Sequence, residues 1–224
     1  HRENVLFERE KALMPQSQAM DEPRHILPII SIPVRNQSHR ASEGESDKRL
    51  AIVGDDATVR DLSLSTLAQP NIYNTVFTRS GDALSPHVLA ETLTHAGLMC
   101  FVGEVDSDGA FHLRENGHPY PSQLIGRHLG GAALRIVSIM GPVDKFALKP
   151  IMRSLIPNIG LGLLIRRSDG DDGRDFLVEF YRQVHDVVGS EALVLAYSTA
   201  VKQALRQGVE WESINRYQLF IPSG

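Results

Sequence analysis

The chain has 224 residues, of which 42% are hydrophobic and 22% are charged, and its formal net charge is −4 at pH 7. This size and composition are typical of a globular protein with one large domain, or with one domain and an appendage. The acidic balance offers no excess of Lys and Arg to neutralise phosphates, which argues against nucleic acid as a partner. No apolar run reaches the ~20 residues that a membrane span needs, so we expect no such span.

Cysteine and histidine usage bears on metal sites and on the compartment. The single cysteine, Cys100, forbids an internal disulfide and a Cys-rich metal site, and it is compatible with a reducing cytoplasm. The nine histidines are scattered, without a His-Glu-x-x-His pattern. The acidic stretch at residues 168–175 lacks the ligand spacing of a calcium-binding loop. The sequence therefore predicts a cytoplasmic protein with neither a metal ion nor a cofactor.

The first 48 residues are predicted to form an appendage in three parts. Residues 1–22 have the spacing of a polar helix, and His25–Arg35 has the composition of a strand interrupted by two prolines. Because proline cannot donate to a sheet ladder, this strand is predicted at a sheet edge or in an extended arm. Residues 36–48 contain almost no apolar side chain and predict a flexible linker. Since the chain begins at His1 and not at Met, we expect it to be a piece of a longer protein.

Apolar runs alternate with amphipathic segments from residue 49 to residue 224. The segments that predict strands or a hairpin are RLAIVG, IYNTVFTR, LMCFVGE, AFHLRENGHPY, ALRIVSIM, GLGLLIRR and NRYQLFIPSG. The segments that predict helices are SPHVLAETLTHAG, SQLIGRHLGG, ALKPIMRSLIPNIG, RDFLVEFYRQVHDVVG and SEALVLAYSTAVKQALRQG. This alternation predicts a single α/β domain at residues 49–224, with a mostly parallel sheet and helices on both faces.

Two of the predicted helices have clear boundary signals. The first has Ser85 as its N-cap, Pro86 at its first position and Gly97 as its stop. The other is predicted to begin near Pro150 and to end before Pro157, because proline is tolerated in a first turn but not in a helix interior.

Seven segments of this domain follow one another in the order of a known set of motifs. They read LMCFVGEV, GAFHLRENG, LRIVSIMG, PIMRSLIPNIGLGLLI, RDFLVEFYRQV, EALVLAYSTAVKQAL and WESINRYQLFIPSG. In this order the chain resembles the CHAT family of caspase-like peptidase domains, which belong to the caspase, gingipain and separase clan. The resemblance extends from about Leu50 to the C-terminus. It implies a caspase-like α/β fold with three layers.

The chain differs from the family at the catalytic positions. The catalytic histidine of the family falls at Glu104, its nucleophilic cysteine falls at Met140, and its earlier, non-catalytic histidine falls at Cys100. Ser138 matches the family's serine two positions before the nucleophile. A cysteine peptidase needs a thiolate and an imidazole, whereas a thioether has no proton to lose and forms no acyl-enzyme. The resemblance therefore implies a pseudopeptidase without catalytic residues.

A substrate groove without its catalytic groups is expected to persist as a binding groove. Open α/β sheets bind ligands at the carboxyl ends of their parallel strands. The residues predicted to line the groove there are Gly103, Glu104, Asp106, Ser138, Met140, Gly141 and Arg167. The resemblance implies a protein partner, which would be a peptide, an active peptidase or a repeat protein in a bacterial-type signalling or defence assembly.

Two other functions remain open on the sequence alone. Asp55 and Asp56 follow a strand, and the ALKPI segment with Lys149 and Pro150 is like the Lys-Pro strand end of a receiver domain, which indicates a degenerate receiver of a phosphorelay. The other alternative is a cysteine peptidase with a non-standard site, made of Cys100 and His118.

Overall fold

The computed structural model describes residues 27–33, 49–54, 59–62, 72–73, 75–80, 84–113, 117–129, 136–166 and 174–223. The predicted leading helix at residues 1–22 and the predicted linker at residues 36–48 lie outside the described residues. So do Asp55, Asp56 and Arg167, together with residues 114–116 of the AFHLRENGHPY segment.

The described residues form strands and helices in an alternating order. The strands are β1 (Ile29–Pro33), β2 (Arg49–Gly54), β3 (Thr75–Ser80), β4 (Leu98–Val102), β5 (Glu104–Val105), β6 (Ala110–His112), β7 (Tyr120–Pro121), β8 (Ile136–Met140), β9 (Gly162–Arg166) and β10 (Tyr217–Ser223). The helices are α1 (Pro86–His95), α2 (Ser122–Leu129), α3 (Leu148–Leu155), α4 (Arg174–Val184), α5 (Ser190–Arg206) and α6 (Trp211–Ile214), and a 3₁₀ turn spans Ile156–Asn158.

Within the described residues, seven strands form one sheet in the order β1-β10-β9-β8-β4-β2-β3. Neighbouring strands are parallel except β10 and β9, which are antiparallel. This confirms the prediction of an α/β fold with a mostly parallel sheet. Strand β1 lies at one edge and pairs only with β10, so the strand that carries Pro33 belongs to the same sheet as the strands of residues 49–224.

Both faces of the sheet are covered, which explains why its strands are continuously apolar. All five residues of β4 are at most 3% exposed. One core cluster contains Leu50, Ile52 and Cys100 and is covered by α4 and α5. The other contains Ala51 and Phe101 and is covered by α1, α2 and α3. The result is a three-layer arrangement of helices, sheet and helices.

Two helix boundaries follow the predicted signals. The Oγ of Ser85 accepts a hydrogen bond from the Val88 N–H at 3.2 Å, and Pro86 opens α1, as predicted. Helix α3 begins at Leu148, two residues before Pro150, and gives way to the 3₁₀ turn that contains Pro157. Lys149 and Pro150 therefore lie in the first turn of a helix, and their interpretation as a receiver's strand end is wrong.

A shorter sheet follows β4 along the chain. Strands β5, β6 and β7 pair antiparallel in the order β5-β6-β7, and Ala110 and Phe111 lie opposite Pro121 and Tyr120. Phe111 packs against Phe101 of the main sheet with ring centroids 5.1 Å apart. This contact fixes the small sheet over the carboxyl end of β4. None of the described helices is long and apolar enough to cross a membrane.

Candidate functional site

The carboxyl ends of β4 and β8 lie side by side. The two strands are parallel neighbours, with Val102 opposite Met140. Just past this pair, the N–H of Gly103 donates a hydrogen bond to the carbonyl of Met140 at 3.0 Å. Gly103, Glu104, Met140 and Gly141 are thereby brought to one place at the sheet edge where open α/β proteins bind ligands.

Two glycines allow the backbones to meet at these strand ends. Gly103 and Gly141 have φ angles of +152° and +147°, a conformation that L side chains rarely adopt. A Cβ on Gly141 would lie 2.1 Å from the Gly103 carbonyl oxygen, and a Cβ on Gly103 would lie 2.3 Å from the His112 carbonyl oxygen. The close approach of the β4 and β8 ends therefore depends on the absence of a side chain at Gly141, and the approach of β6 to the end of β4 depends on its absence at Gly103.

An aspartate–histidine pair stands beside Glu104. In the small sheet the exposed Glu104 lies opposite His112, whose Nε2 lies 2.9 Å from Oδ2 of Asp106. The other carboxylate oxygen, Oδ1, accepts hydrogen bonds from the N–H groups of Asp108 and Ala110, both at 3.0 Å. Burial raises the pKa of Asp106, but the hydrogen bond from His112 and these two backbone bonds outweigh it and hold the pKa below its usual value.

The loop after β8 is tied to the same place. The Val105 N–H donates to the Pro142 carbonyl at 2.9 Å, and the Asp144 N–H donates to the Val105 carbonyl at 3.0 Å. Further along the loop, the side chain of Phe146 is 66% exposed, and the Nζ of Lys145 lies 4.9 Å from its ring centroid. The sheet edge thus carries an anchored loop that presents a large aromatic side chain to solvent.

The predicted groove residues divide into surface and interior positions. Glu104 is exposed, and Asp106, Gly103 and Gly141 are partly exposed. The side chains of Met140 and Ser138 instead lie in the interior, at 5% and 0% exposure. They are therefore part of the floor under the strand ends and not of a solvent-facing wall.

Ser138 is held in the interior by hydrogen bonds. Its hydroxyl is hydrogen-bonded to that of Tyr181, and Tyr181 in turn donates to the Met99 carbonyl at 3.0 Å. Because the single phenol proton is directed at Met99, Ser138 is the donor to Tyr181. A serine so engaged is a structural residue in this core.

Cys100 is a buried thiol in a setting that favours its protonated form. Its side chain is 0% exposed. Burial raises the pKa of Cys100 to about 11, although hydrogen bonds with Ser138 and Tyr181 partly oppose this rise. His118, its partner in the alternative cysteine-peptidase interpretation, is exposed to solvent. The two residues therefore lie in different environments, one in the core and the other at the surface.

Two features of this edge were not predicted from the sequence. His112 was only one of nine scattered histidines in the sequence, because its contact with Asp106 depends on how β5 and β6 pair. Nothing in the sequence around Phe146 indicates a functional residue, apart from its being aromatic in a polar loop. In the part of the chain that the structure describes, no three His, Cys, Asp or Glu side chains are grouped so as to hold a metal ion.

Comparison of the sequence with known protein families and with curated proteins found no match.

Proposed function

We propose that this chain is a catalytically inactive caspase-like module that acts by binding a protein partner at the carboxyl edge of its sheet. The observation that carries the proposal is the side-by-side ending of β4 and β8, joined by the hydrogen bond from Gly103 to Met140. The motif resemblance assigns an imidazole and a thiolate to these two neighbouring strand ends. The chain has Glu104 and Met140 there.

This pair of residues supports binding and not covalent catalysis. Met140 has no ionisable proton, so it forms no acyl-enzyme, and Glu104 has no thiol or hydroxyl at Met140 to activate. The one thiol of the chain, Cys100, lies in the core with a raised pKa. A peptide that enters this edge would be bound without being cleaved.

The surface of the edge supports a protein partner. It combines the carboxylate of Glu104, the Asp106–His112 pair and the exposed ring of Phe146 within one set of connected loops. Aromatic residues are enriched among the residues that dominate the energy of protein interfaces. The resemblance favours a peptide, an active peptidase or a repeat protein in a signalling or defence assembly. A cytoplasmic location is part of the proposal and is supported by the free cysteine.

The assignment of Glu104 and Met140 to the two catalytic positions is tested by restoring the histidine and the cysteine that the family has there. The double variant E104H/M140C is compared with M140C alone for its rate of alkylation by iodoacetamide at pH 7. We expect the double variant to react at least about tenfold faster, because a nearby imidazole lowers the pKa of a thiol. The wild-type chain should not be alkylated under the same conditions.

Equal alkylation rates of E104H/M140C and M140C would contradict the correspondence of the two positions. The variant E104Q/M140C serves as the control, because it changes the charge at residue 104 without supplying an imidazole. Its rate should stay well below that of E104H/M140C, because the loss of the carboxylate alone supplies no positive charge to the thiolate.

The binding role is tested by comparing two exposed apolar side chains. Phe146 lies in the loop at the sheet edge, and Leu195 lies on α5, and they are 66% and 64% exposed. Proteins that co-purify with the full chain from its native cells should be lost with F146S and kept with L195S. Equal effects of the two substitutions would contradict a binding site at this edge.

A further inference from the structure

Arg166 is a buried cation at the same edge of the sheet. It is the last residue of β9, one step beyond the Ile139–Ile165 pair, so it lies beside Met140 at the end of β8. By the alternation of side chains along a strand, it shares the face of Leu164, which is in the core cluster with Met140. The residue is only 5% exposed.

The guanidinium of Arg166 has donors that no group in the described part of the chain satisfies. Its Nε and Nη2 are buried and have no hydrogen-bond partner. Two other arginines in the described part of the chain have a carboxylate partner: Arg182, whose Nε is also buried without a hydrogen-bond partner, pairs through Nη1 with Glu179 at 2.8 Å, and Arg174 pairs with Asp61 at 3.2 Å. Buried charges in proteins are paired as a rule, because removing an ion from water without giving it a partner is strongly unfavourable.

The surroundings of Arg166 strengthen electrostatic interactions. On the adjacent strand β10, the residue paired with Arg166 is Tyr217, which is fully buried. The ring of Tyr217 packs against that of Phe176, with the ring centroids 5.0 Å apart. Burial raises the pKa of Tyr217, and the positive charge of Arg166 opposes part of this rise. An aromatic environment of low dielectric makes an unpaired guanidinium a strong attractor for an anion.

We propose that Arg166 binds an oxyanion, the carboxylate or phosphate group of a ligand, at the carboxyl edge of the sheet between the ends of β8 and β9. Nε and Nη2 are the two guanidinium nitrogens whose N–H bonds point in parallel from one side of the group. They match the two oxygens of a carboxylate or phosphate in a bidentate contact. This proposal does not depend on the relation to peptidases, because it follows from the unsatisfied donors and their place in the sheet.

The test measures anion binding to the full chain with and without this guanidinium. Inorganic phosphate and acetate are titrated separately by calorimetry, at an ionic strength held constant with chloride. R166M replaces the cation by an apolar side chain of similar length, and R153M makes the same change at an exposed arginine of α3. We expect the wild type and R153M to bind at least one anion, and R166M to bind it about tenfold or more weakly.

The two anions separate the two ligand chemistries. Binding of phosphate alone would identify a phosphate-bearing ligand, and binding of acetate alone would identify a carboxylate. Failure of the wild type to bind either anion would overturn the proposal, and so would equal binding by R166M. A loss of binding in R153M as large as that in R166M would overturn it as well.

The free energy of unfolding is a second measurement, and it separates an anion-binding role of Arg166 from a structural one. Without added anion, R166M should unfold at a higher urea concentration than the wild type, because replacing an unpaired buried charge by an apolar group removes its desolvation cost. An R166M chain that is less stable or unfolded would show that the guanidinium is required by the fold, and would overturn the proposal. The dyad-restoring variants of Glu104 and Met140 leave Arg166 unchanged, so the two proposals fail independently.

Discussion

Beneath the strand ends, the hydroxyls of Ser138 and Tyr181 and the carbonyl of Met99 form a chain of hydrogen bonds inside an otherwise apolar core. The backbone carbonyl of Tyr181 also accepts a hydrogen bond from the Tyr73 hydroxyl at 2.5 Å. These contacts join β4, β8 and α4 at a single point. They account for a polar side chain in a strand as apolar as β8, because a buried hydroxyl is tolerated where its partners are fixed.

Removal of the Tyr181 hydroxyl should destabilise the protein and leave Ser138 without its partner. We expect Y181F to lower the free energy of unfolding by about 1–3 kcal/mol, measured by urea denaturation. In S138A/Y181F the effect should be smaller than the sum of the two single substitutions, since no orphaned hydroxyl remains. Additive effects would show that the two hydroxyls do not interact.

Because the thiol of Cys100 is buried, we expect the free energy of unfolding to fall at alkaline pH. The pKa of Cys100 is raised from 9.0 to about 11, so the unfolded chain releases this proton first as the pH rises. The contribution of the protonated Cys100 thiol to the free energy of unfolding is therefore fully present below pH 9, and it is lost progressively between pH 9 and pH 11. Between pH 9 and pH 10, the wild type should lose about 1 kcal/mol more stability than C100A.

This pH dependence is measured by urea denaturation of both proteins at each pH. Burial also raises the pKa values of Tyr181, Tyr197 and Tyr217, and their effect on stability falls mainly above pH 10, so the two proteins are compared between pH 9 and pH 10. A parallel pH profile for wild type and C100A would show that the thiol is not desolvated.

At the scale of single elements, the sequence predicted strands and helices well where local signals decide them. The apolar run of β4 and the Ser85–Pro86 start of α1 are two such cases. The contacts of the candidate site were not predicted, because they join separate segments. The Asp106–His112 pair spans six residues and requires the β5–β6 register, and the meeting of Gly103 with Gly141 requires β4 and β8 to be neighbours.

Adding a single methyl group where the ends of β4 and β8 meet should destabilise the protein. In G141A the Cβ would lie 2.1 Å from the Gly103 carbonyl oxygen at a φ of +147°. We expect a destabilisation of at least about 3 kcal/mol, the sum of overpacking and backbone strain. Thermal and urea unfolding measure it directly.

Gly208 provides the matched control for this substitution. It also has a positive φ, +88°, but nothing lies within 4 Å of a Cβ built on it. G208A should therefore cost only the backbone term, about 1–2 kcal/mol. Equal losses in G141A and G208A would mean that the close contact at the strand ends contributes little to stability.

At the scale of the whole molecule, the direction of the last strand was the main feature that the sequence prediction left out. Between β9 and β10 the chain passes through α4 and α5, which pack on one face of the sheet, and then through the single-turn α6. Strand β10 enters the sheet antiparallel to β9, a direction that the order of the segments along the chain does not determine. Strand β1 then pairs parallel with β10, a non-local contact that no local pattern around Ile29 indicates.

The most direct test of the central claim is to ask whether the full chain cleaves peptides. The wild type and C100A are each incubated with a library of diverse peptides, and new amino termini are counted by mass spectrometry against a buffer control. Because no nucleophile lies at the ends of β4 and β8 and the only thiol is buried, we expect no new termini with either protein. Cleavage by the wild type that C100A loses would contradict the account.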